Sequence, residues 1–303
     1  MFGPLIVIYL FLAGAGCGTF VAAVYLSQRA RSSAALRRSL GRVALPSLVV
    51  SCGMVAVGAA CLMLDLGRPE LALDVLANPA GSVLSVGAWA LVAFMAAVAA
   101  LLACNLRVLG LGHGAVLAVQ ALGCASALVV MVYSGLFLST IWTLPLLASP
   151  LVPVLFVLSS ASCGIATAFL AASFVETRHP HRGPLVWLAR IDGGIVVVEA
   201  GCLAAFVLLA FAGEETAAAA RALAFGELAP VFWGVLAVCG LAVPLVLERF
   251  LTHGNSRTQL LWIAALLLVG GFALRWCIVG AGAYDVTQMP EALYGLSTFG
   301  LTG

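Results

Sequence analysis

Hydrophobic residues recur along the whole chain in long runs, and short polar stretches separate these runs. The eight runs cover about 4–27, 43–65, 84–106, 114–140, 150–174, 190–212, 229–248 and 259–281. A single helix needs about 20 apolar residues to cross the hydrocarbon core of a bilayer, and each run reaches that length. The pattern therefore predicts an all-α integral membrane protein with eight transmembrane helices.

Composition supports this class and limits where chemistry can take place. Hydrophobic residues make up 64% of the 303 positions, charged residues 9%, and the mean hydropathy is +1.18. The longest loop, of about 20 residues, is too short to bury a core of its own. Chemistry that needs a water-soluble domain is therefore expected in a partner protein. The surroundings are membrane lipid, and no nucleic acid partner is expected.

The arginines predict the orientation, since the chain has no lysine. Most of them follow the first, third, fifth and seventh runs: Arg29, Arg31, Arg37, Arg38, Arg42, Arg107, Arg178, Arg182, Arg190, Arg249 and Arg257. The opposite loops hold Arg68 and Arg221. The positive-inside rule then places both termini outside the cytoplasm of a bacterial or archaeal cell, in a multi-pass protein of the cytoplasmic membrane. The first run lacks a preceding basic segment, which indicates a retained anchor and not a cleaved signal peptide.

Cysteine and histidine positions argue against a metal centre in this chain. All nine cysteines lie in apolar runs without CxxC spacing, so they are expected to pack and not to hold an iron–sulfur cluster. The four histidines lie in or beside the inner loops, whereas a transmembrane haem b needs histidine ligands within the spans. We therefore expect no haem, iron–sulfur cluster or other metal in the chain.

A buried charge is predicted within the last run, at Arg275. Placing an arginine inside a membrane span costs at least about 2.5 kcal/mol, so such a residue usually faces a bundle interior or a polar cavity. Apart from Asp65 at the outer end of the second run, the acids assigned to apolar runs are Asp192 and Glu199, which lie two helical turns apart on one face. Together with Arg190, these residues could form a structural ion network or a proton path, and both interpretations stay open.

A weak internal repeat predicts how the helices are grouped. Residues 11–18, FLAGAGCG, resemble residues 157–164, VLSSASCG, in a run of the same direction. This suggests two four-helix bundles, formed by residues 1–145 and 146–303. A chance likeness between helices rich in glycine and alanine is the alternative.

The most specific motif closes the second run and continues into the third. Residues 62–70 read LMLDLGRPE, and residues 82–89 read SVLSVGAW. Two further segments accompany it, YSGLFL from Tyr133 and GGFALRWCIVGAG at residues 270–282. In these segments the chain resembles the NrfD-type family of quinone-reactive membrane subunits, which includes the membrane subunit of polysulfide reductase.

The resemblance implies a function within a larger complex. Such subunits bind menaquinone or ubiquinone near the outer membrane face and oxidise or reduce the quinol, although they carry no redox centre themselves. They exchange electrons with an extracytoplasmic, ferredoxin-like iron–sulfur subunit with four clusters, which is usually coupled to a molybdopterin catalytic subunit. The chain would then be the quinol-oxidoreducing membrane subunit of a respiratory oxidoreductase.

The resemblance also implies roles for individual residues. Tyr133 matches a family tyrosine implicated at the quinone head group, and Tyr9 is the strong hydrogen-bonding side chain in the outer half of the first helix. Asp65 and Arg68 match the signature, where Asp65 would accept a quinol proton or pair with Arg68. Glu199 would pass protons on.

The outer loops are rich in acids, and two readings of them stay open. Arg68, Glu70 and Asp74 would form part of a docking surface for the iron–sulfur partner, or these residues are simply solvated. A rival function for the whole chain is a secondary transporter whose intramembrane Asp, Glu and Arg bind a substrate or a coupling ion. A neighbouring gene for a protein with four cysteine clusters would separate the two functions.

Overall fold

The computed structural model describes residues 4–31, 34–66, 83–139, 146–174, 182–213, 216–250 and 257–287. The helices in this part of the chain are α1 (Pro4–Ala30), α2 (Ala34–Leu66), α3 (Val83–Asn105), α4 (His113–Ser139), α5 (Leu151–Phe174), α6 (Arg182–Ala212), α7 (Ala217–Phe225), a π-helix (Pro230–Ala242) that continues as α8 (Val243–Phe250), and α9 (Arg257–Thr287). Eight segments are long and apolar enough to cross a membrane. The prediction of an all-helical protein with eight spans is confirmed.

Two local features were not predicted from the hydrophobic pattern. The short helix α7 precedes the seventh span, and the indole N–H of Trp233 donates to the Ala224 carbonyl at 2.9 Å, which ties α7 to that span. The seventh span itself starts as a 13-residue π-helix. Pro244, which has no N–H to donate, follows directly where the π-helix gives way to α8.

Helices α1, α5 and α9 form the centre of the molecule. In their most apolar windows, 67% of α1, 67% of α5 and 61% of α9 is buried, against 28–33% of the other spans. The remaining spans therefore turn most of their apolar surface outward, as lipid-facing helices do. Any polar residue on the buried faces of α1, α5 or α9 is placed where protein, and not lipid, surrounds it.

Helices α1 and α5 touch backbone to backbone at two glycines. A Cβ atom on Gly18 would overlap the Ser160 carbonyl, and one on Gly164 would overlap the backbone of Gly18. Both positions therefore require glycine, as in close helix packing in membranes. Gly18 and Gly164 are also the corresponding last residues of the two repeat segments, 11–18 and 157–164. The two repeat segments are therefore in contact with each other at the centre of the molecule. The grouping into two four-helix bundles stays a prediction.

The two ends of the molecule differ in charge. Six arginines are exposed at one end, which we call the arginine-rich end: Arg29, Arg31, Arg42, Arg107, Arg190 and Arg249. At this end the guanidinium of Arg29 lies 5.6 Å from the ring centre of Tyr25 and 5.3 Å from that of Trp187, and the two rings stack. The opposite end, where α1 begins and α2 ends, carries Asp65 and Glu227 and the exposed Arg221 among the described residues, and we call it the acidic end.

Candidate functional site

Arg275 is completely buried in the middle of α9 and is held by neutral groups. Its Nη1 donates to Ser159 Oγ at 3.1 Å and to the Gly271 carbonyl at 2.7 Å. Its Nη2 donates to Ser160 Oγ at 2.7 Å, and its Nε donates to the Leu10 carbonyl at 3.2 Å. Four of the five N–H donors of the guanidinium are thus used, and none of these bonds goes to a carboxylate.

Aromatic rings complete the enclosure of the Arg275 guanidinium. Its central carbon lies 5.2 Å from the ring centre of Phe156 and 5.7 Å from that of Phe11, within the range of cation–π attraction. Gly14 supplies the room, because a Cβ there would overlap the Ser160 hydroxyl and lie 2.8 Å from Nη2. Residues of α1, α5 and α9 therefore build one fixed site around the cation.

Glu199 lies beside this site without bonding to the arginine. It is 4% exposed, lies within electrostatic range of Arg275, and its carboxyl group is next to the Ser159 hydroxyl. Ser159 in turn accepts a hydrogen bond from Arg275. The two charged residues are therefore linked through Ser159, so the predicted relation between them is indirect in the structure.

Asp192 and Glu248 form a second buried group, nearer the arginine-rich end. Asp192 is 0% exposed and Glu248 is 6% exposed. The two carboxyl groups are neighbours and interact electrostatically, and Ser162 lies next to Asp192. Within the described residues, no oxygen of either carboxyl has a hydrogen-bonding partner in good geometry. We call these two residues the carboxyl pair.

A cleft of about 430 Å³ reaches the carboxyl pair between α6 and α8. Glu248 lines its wall, together with Gly193 and the two exposed arginines Arg190 and Arg249. Asp192 is not part of the lining and lies behind Glu248. Arg190, which the sequence grouped with the buried network, is thus placed at the mouth of the cleft.

The two predicted tyrosines lie near each other toward the acidic end. Tyr9 is five residues inside the start of α1, Tyr133 is six residues before the end of α4, and both are buried. Each lies within electrostatic range of the other. A Cβ on Gly87 would overlap the ring of Tyr133, so the glycine of the SVLSVGAW motif makes the space for that ring. The motifs SVLSVGAW and YSGLFL therefore contribute to one local site.

The remaining predicted site residues lie at the same end. Asp65 is half-buried in the last turn of α2. Arg68, Glu70 and Asp74 fall outside the described residues, so their proposed roles in docking and quinone binding stay predictions. In the part of the chain that is described, no three His, Cys, Asp or Glu side chains converge into a metal site.

Comparison with known proteins identifies the family. The family model described as "Polysulphide reductase, NrfD" matches residues 1–287. The chain belongs to the NrfD family. It is 28% identical to Protein NrfD of Escherichia coli over 303 aligned residues, which cover 93% of this chain and 94% of that protein. It is 35% identical to the C subunit of polysulfide reductase from Wolinella succinogenes over 154 residues, which cover 50% of this chain and 49% of that protein. Protein NrfD homolog of Haemophilus influenzae is 25% identical over 304 residues, with 93% and 94% covered.

The NrfD match confirms the resemblance found in the motifs. The chain is a multi-pass membrane protein of a family whose members are membrane subunits of respiratory oxidoreductase complexes. Membership extends over all eight spans, so it includes both the tyrosine site and the carboxyl pair. The quinone, the redox partners and the roles of single residues are matters of proposal.

One buried acid of this NrfD family member was missed in the sequence. Glu248 stands beside Arg249 at the very end of the seventh run, where a charged residue normally faces water. Its burial follows from the neighbouring helix, since a Cβ atom added to Gly193 on α6 would lie only 3.3 Å from Glu248 Oε2. The available signal was Gly193-Gly194 next to Asp192, a place without side chains where a neighbouring helix can approach closely.

Proposed function

We propose that this chain is the quinol-oxidising or quinone-reducing membrane subunit of a respiratory oxidoreductase. Membership of the NrfD family supports the general role. The observation that carries the finer proposal is that Tyr9 and Tyr133 lie within electrostatic range of each other near the acidic end, with Gly87 of the signature making room for the Tyr133 ring. The substrate is menaquinol or ubiquinol.

The tyrosine site has the groups that a quinone head group requires. A quinone has two carbonyl oxygens that accept hydrogen bonds, and a tyrosine hydroxyl can donate to one of them. Tyr133 and Tyr9 supply two such hydroxyls, and both side chains are buried within the protein. Asp65, at the end of α2, and Arg68 beyond it would complete the site, with Asp65 as an acceptor for quinol protons.

Proton transfer is the second part of the proposal. Oxidation of a quinol releases two protons with two electrons, so the site must transfer these protons to neighbouring groups or to water. Glu199 is suited to this step because it is buried, stands beside the Ser159 hydroxyl and has no direct ion pair that would fix its charge among the described residues. Arg275, which Ser159 links to Glu199, also bonds the carbonyl of Leu10, the residue after Tyr9. Arg275 would therefore position the polar groups between Glu199 and the tyrosine site.

The electron partner would dock at the acidic end. We propose an extracytoplasmic iron–sulfur subunit with four clusters, joined to a molybdopterin catalytic subunit, with Arg68, Glu70 and Asp74 in the docking surface. Both termini would lie outside the cytoplasm, and the two four-helix bundles would be residues 1–145 and 146–303. The chain itself would hold no haem, iron–sulfur cluster or metal.

The test is the substitution Tyr133→Phe in the assembled complex. This change keeps the ring that packs on Gly87 and removes one hydroxyl donor. A neutral hydrogen bond contributes about 0.5–1.5 kcal/mol, so quinol turnover should fall by about two- to tenfold at normal assembly. The measurement is the steady-state rate of quinol oxidation by the purified complex, with the subunit content checked by gel.

The matched control is Tyr25→Phe, because the hydroxyl of Tyr25 lies at the arginine-rich end and accepts a hydrogen bond from Arg29. Turnover should stay at the level of the unmodified complex in this variant. An assembled Tyr133→Phe complex with unchanged quinol turnover would contradict the proposed head-group role. Transport of a solute without quinol oxidation would favour the transporter alternative.

A further inference from the structure

The carboxyl pair is ionisable and buried, and it has no role in the proposed quinone site at Tyr9 and Tyr133. It lies on α6 and α8, away from the acidic end, and the cleft of about 430 Å³ leads to it. Neither carboxyl has a hydrogen-bonding partner in good geometry within the described residues. Burying such a group costs a large free energy when it is charged.

Two neighbouring carboxylates are costly for a second reason, because like charges in a poorly polarisable environment repel each other. Removing one negative charge by binding a proton relieves both the repulsion and part of the desolvation cost. The O–H of the protonated carboxyl can then donate a hydrogen bond to the neighbouring carboxylate. The arrangement therefore favours a single proton held between the two groups.

We propose that Asp192 and Glu248 form a proton-binding pair that exchanges protons with water at the arginine-rich end of the molecule through the cleft beside Glu248. Glu248 lines the cleft and is the entry group, and Asp192 behind it is the inner group. In each exchange, an O–H bond on one carboxyl breaks as an O–H bond forms on its neighbour or on water. No electron moves in this step.

The surroundings favour a proton over a metal cation. Among the described side chains, the pair and the neighbouring hydroxyl of Ser162 offer few oxygens, whereas hard cations generally take about six oxygen ligands. A proton needs two.

A polar series on α5 leads from the carboxyl pair toward Glu199. Ser162 is next to Asp192, Ser159 is next to Glu199, and the Cys163 thiol lies within electrostatic range of both acids. These α5 positions recur at helical spacing on one face. The pair would thus supply protons to, or remove them from, the path proposed for Glu199. This connection rests on the proposed function, whereas proton binding by the pair does not.

Among the residues that the structure describes, charged and titratable groups near the pair lie on four helices. On α6 they are Arg190 and Glu199, on α5 Cys163, on α8 Arg249, and on α9 Arg275. Arg190 and Arg249 line the same cleft as Glu248, and Glu199 and Cys163 lie within electrostatic range of Asp192. Because Glu199 interacts with Asp192, a Glu199→Gln variant is needed beside the pair variant, and a pH-dependent carboxyl signal that persists in Glu199→Gln but is lost on changing the pair belongs to Asp192 and Glu248.

The first experiment is infrared difference spectroscopy of the purified complex while the pH is stepped across neutrality. The parent complex should show a carboxylic acid C=O band that shifts in D₂O and loses intensity as the pH rises. The spectrum of the parent minus that of the Asp192→Asn/Glu248→Gln double variant should contain this band. A control, Glu227→Gln, changes an exposed acid and should leave the band in place. No pH-dependent carboxyl band in the difference spectrum would overturn the proposal.

The same measurement separates a proton from a metal cation. Replacing potassium by sodium in the buffer should leave the pH at which the band disappears unchanged. A shift of that pH on adding sodium would mean that the pair binds the cation in competition with the proton, which contradicts a proton-specific pair.

The second experiment tests exchange with the arginine-rich side in oriented proteoliposomes of the complex. Positioned proton-transfer groups commonly contribute about 100-fold to a rate, so Glu248→Gln should slow proton movement from that side during turnover by about tenfold or more. Unchanged proton movement at normal turnover would overturn the exchange step. If the parent complex shows no quinol turnover at all, the proposed function fails, and the infrared result still decides whether the pair binds a proton.

Discussion

The two buried charged sites of this protein are built in opposite ways. Arg275 makes four hydrogen bonds to neutral groups and lies between two aromatic rings, so its charge is satisfied where it stands. Asp192 and Glu248 lie together without a hydrogen-bonding partner in good geometry among the described residues. Arg275 and Asp192 are equally inaccessible, at 0% exposure, so burial alone does not distinguish the two sites.

The difference concerns which protonation state the fold supports. A guanidinium stays charged under all ordinary conditions, so a protein can keep it buried only by supplying fixed dipoles, as α1 and α5 do here. A carboxyl can bind a proton and become neutral, so it needs no such framework. We therefore interpret Arg275 as a structural and positioning residue and the carboxyl pair as a group that changes charge.

The largest expected effect comes from removing the arginine. Arg275→Met leaves Ser159, Ser160 and two backbone carbonyls without their buried donor. Leaving a buried polar group without its hydrogen-bonding partner costs about 1–3 kcal/mol, and several groups lose their partner together, so the yield of folded complex should fall sharply. The measurement is the amount of assembled complex in the membrane and its thermal unfolding in detergent. Arg275→Lys should rescue little, because a single ammonium cannot reach the spread partners of a planar fork.

A double variant determines how far Glu199 depends on the arginine. Since Ser159 links the two side chains, Glu199→Leu should recover part of the yield lost in Arg275→Met. If the recovered complex assembles but does not oxidise quinol, Glu199 also serves proton transfer. Strictly additive losses would mean that the electrostatic relation between the two residues contributes nothing to stability.

A matched pair of glycine substitutions gives an intermediate effect. Gly14→Ala would push a methyl group into Ser160 and the Arg275 guanidinium, whose positions are fixed, and overpacking of this kind costs about 1–3 kcal/mol. Gly193→Ala places its methyl 3.3 Å from Glu248 Oε2, in a site with an open cleft, so the cost should stay below about 1 kcal/mol. Thermal unfolding of both variants measures the difference. Equal losses would show that the two sites are equally rigid.

The smallest effect on stability is expected from neutralising the pair. Asp192→Asn with Glu248→Gln preserves shape and removes groups that are costly to bury when charged. The free energy of unfolding should therefore change by less than about 1 kcal/mol or increase, since replacing unsatisfied buried charges is often neutral or stabilising. Thermal unfolding of the complex is again the measurement. A loss as large as that of Arg275→Met would mean that the pair holds the helices together and is not a titrating group.

The eight spans could be predicted from the sequence because a bilayer requires about 20 apolar residues for each crossing, whatever the rest of the fold does. Arg275 could also be recognised as a buried charge, since no water-facing position exists in the middle of such a run. The family motifs could be recognised in the sequence, and they indicated the correct family. What they could not show is that Gly87 makes the space for Tyr133, because these residues meet only when α3 packs on α4.

The sequence by itself thus determined which segments enter the membrane and that a cation lies among them, because both follow from local hydrophobicity along one helix. The tertiary structure alone decided the partners. It placed neutral hydroxyls and carbonyls around Arg275, related Glu199 to it through Ser159, and buried Glu248 beside Asp192. Partners depend on the rotation and close approach of helices far apart in the chain. Those are set by contacts such as Gly18 against Gly164, which no single run of residues specifies.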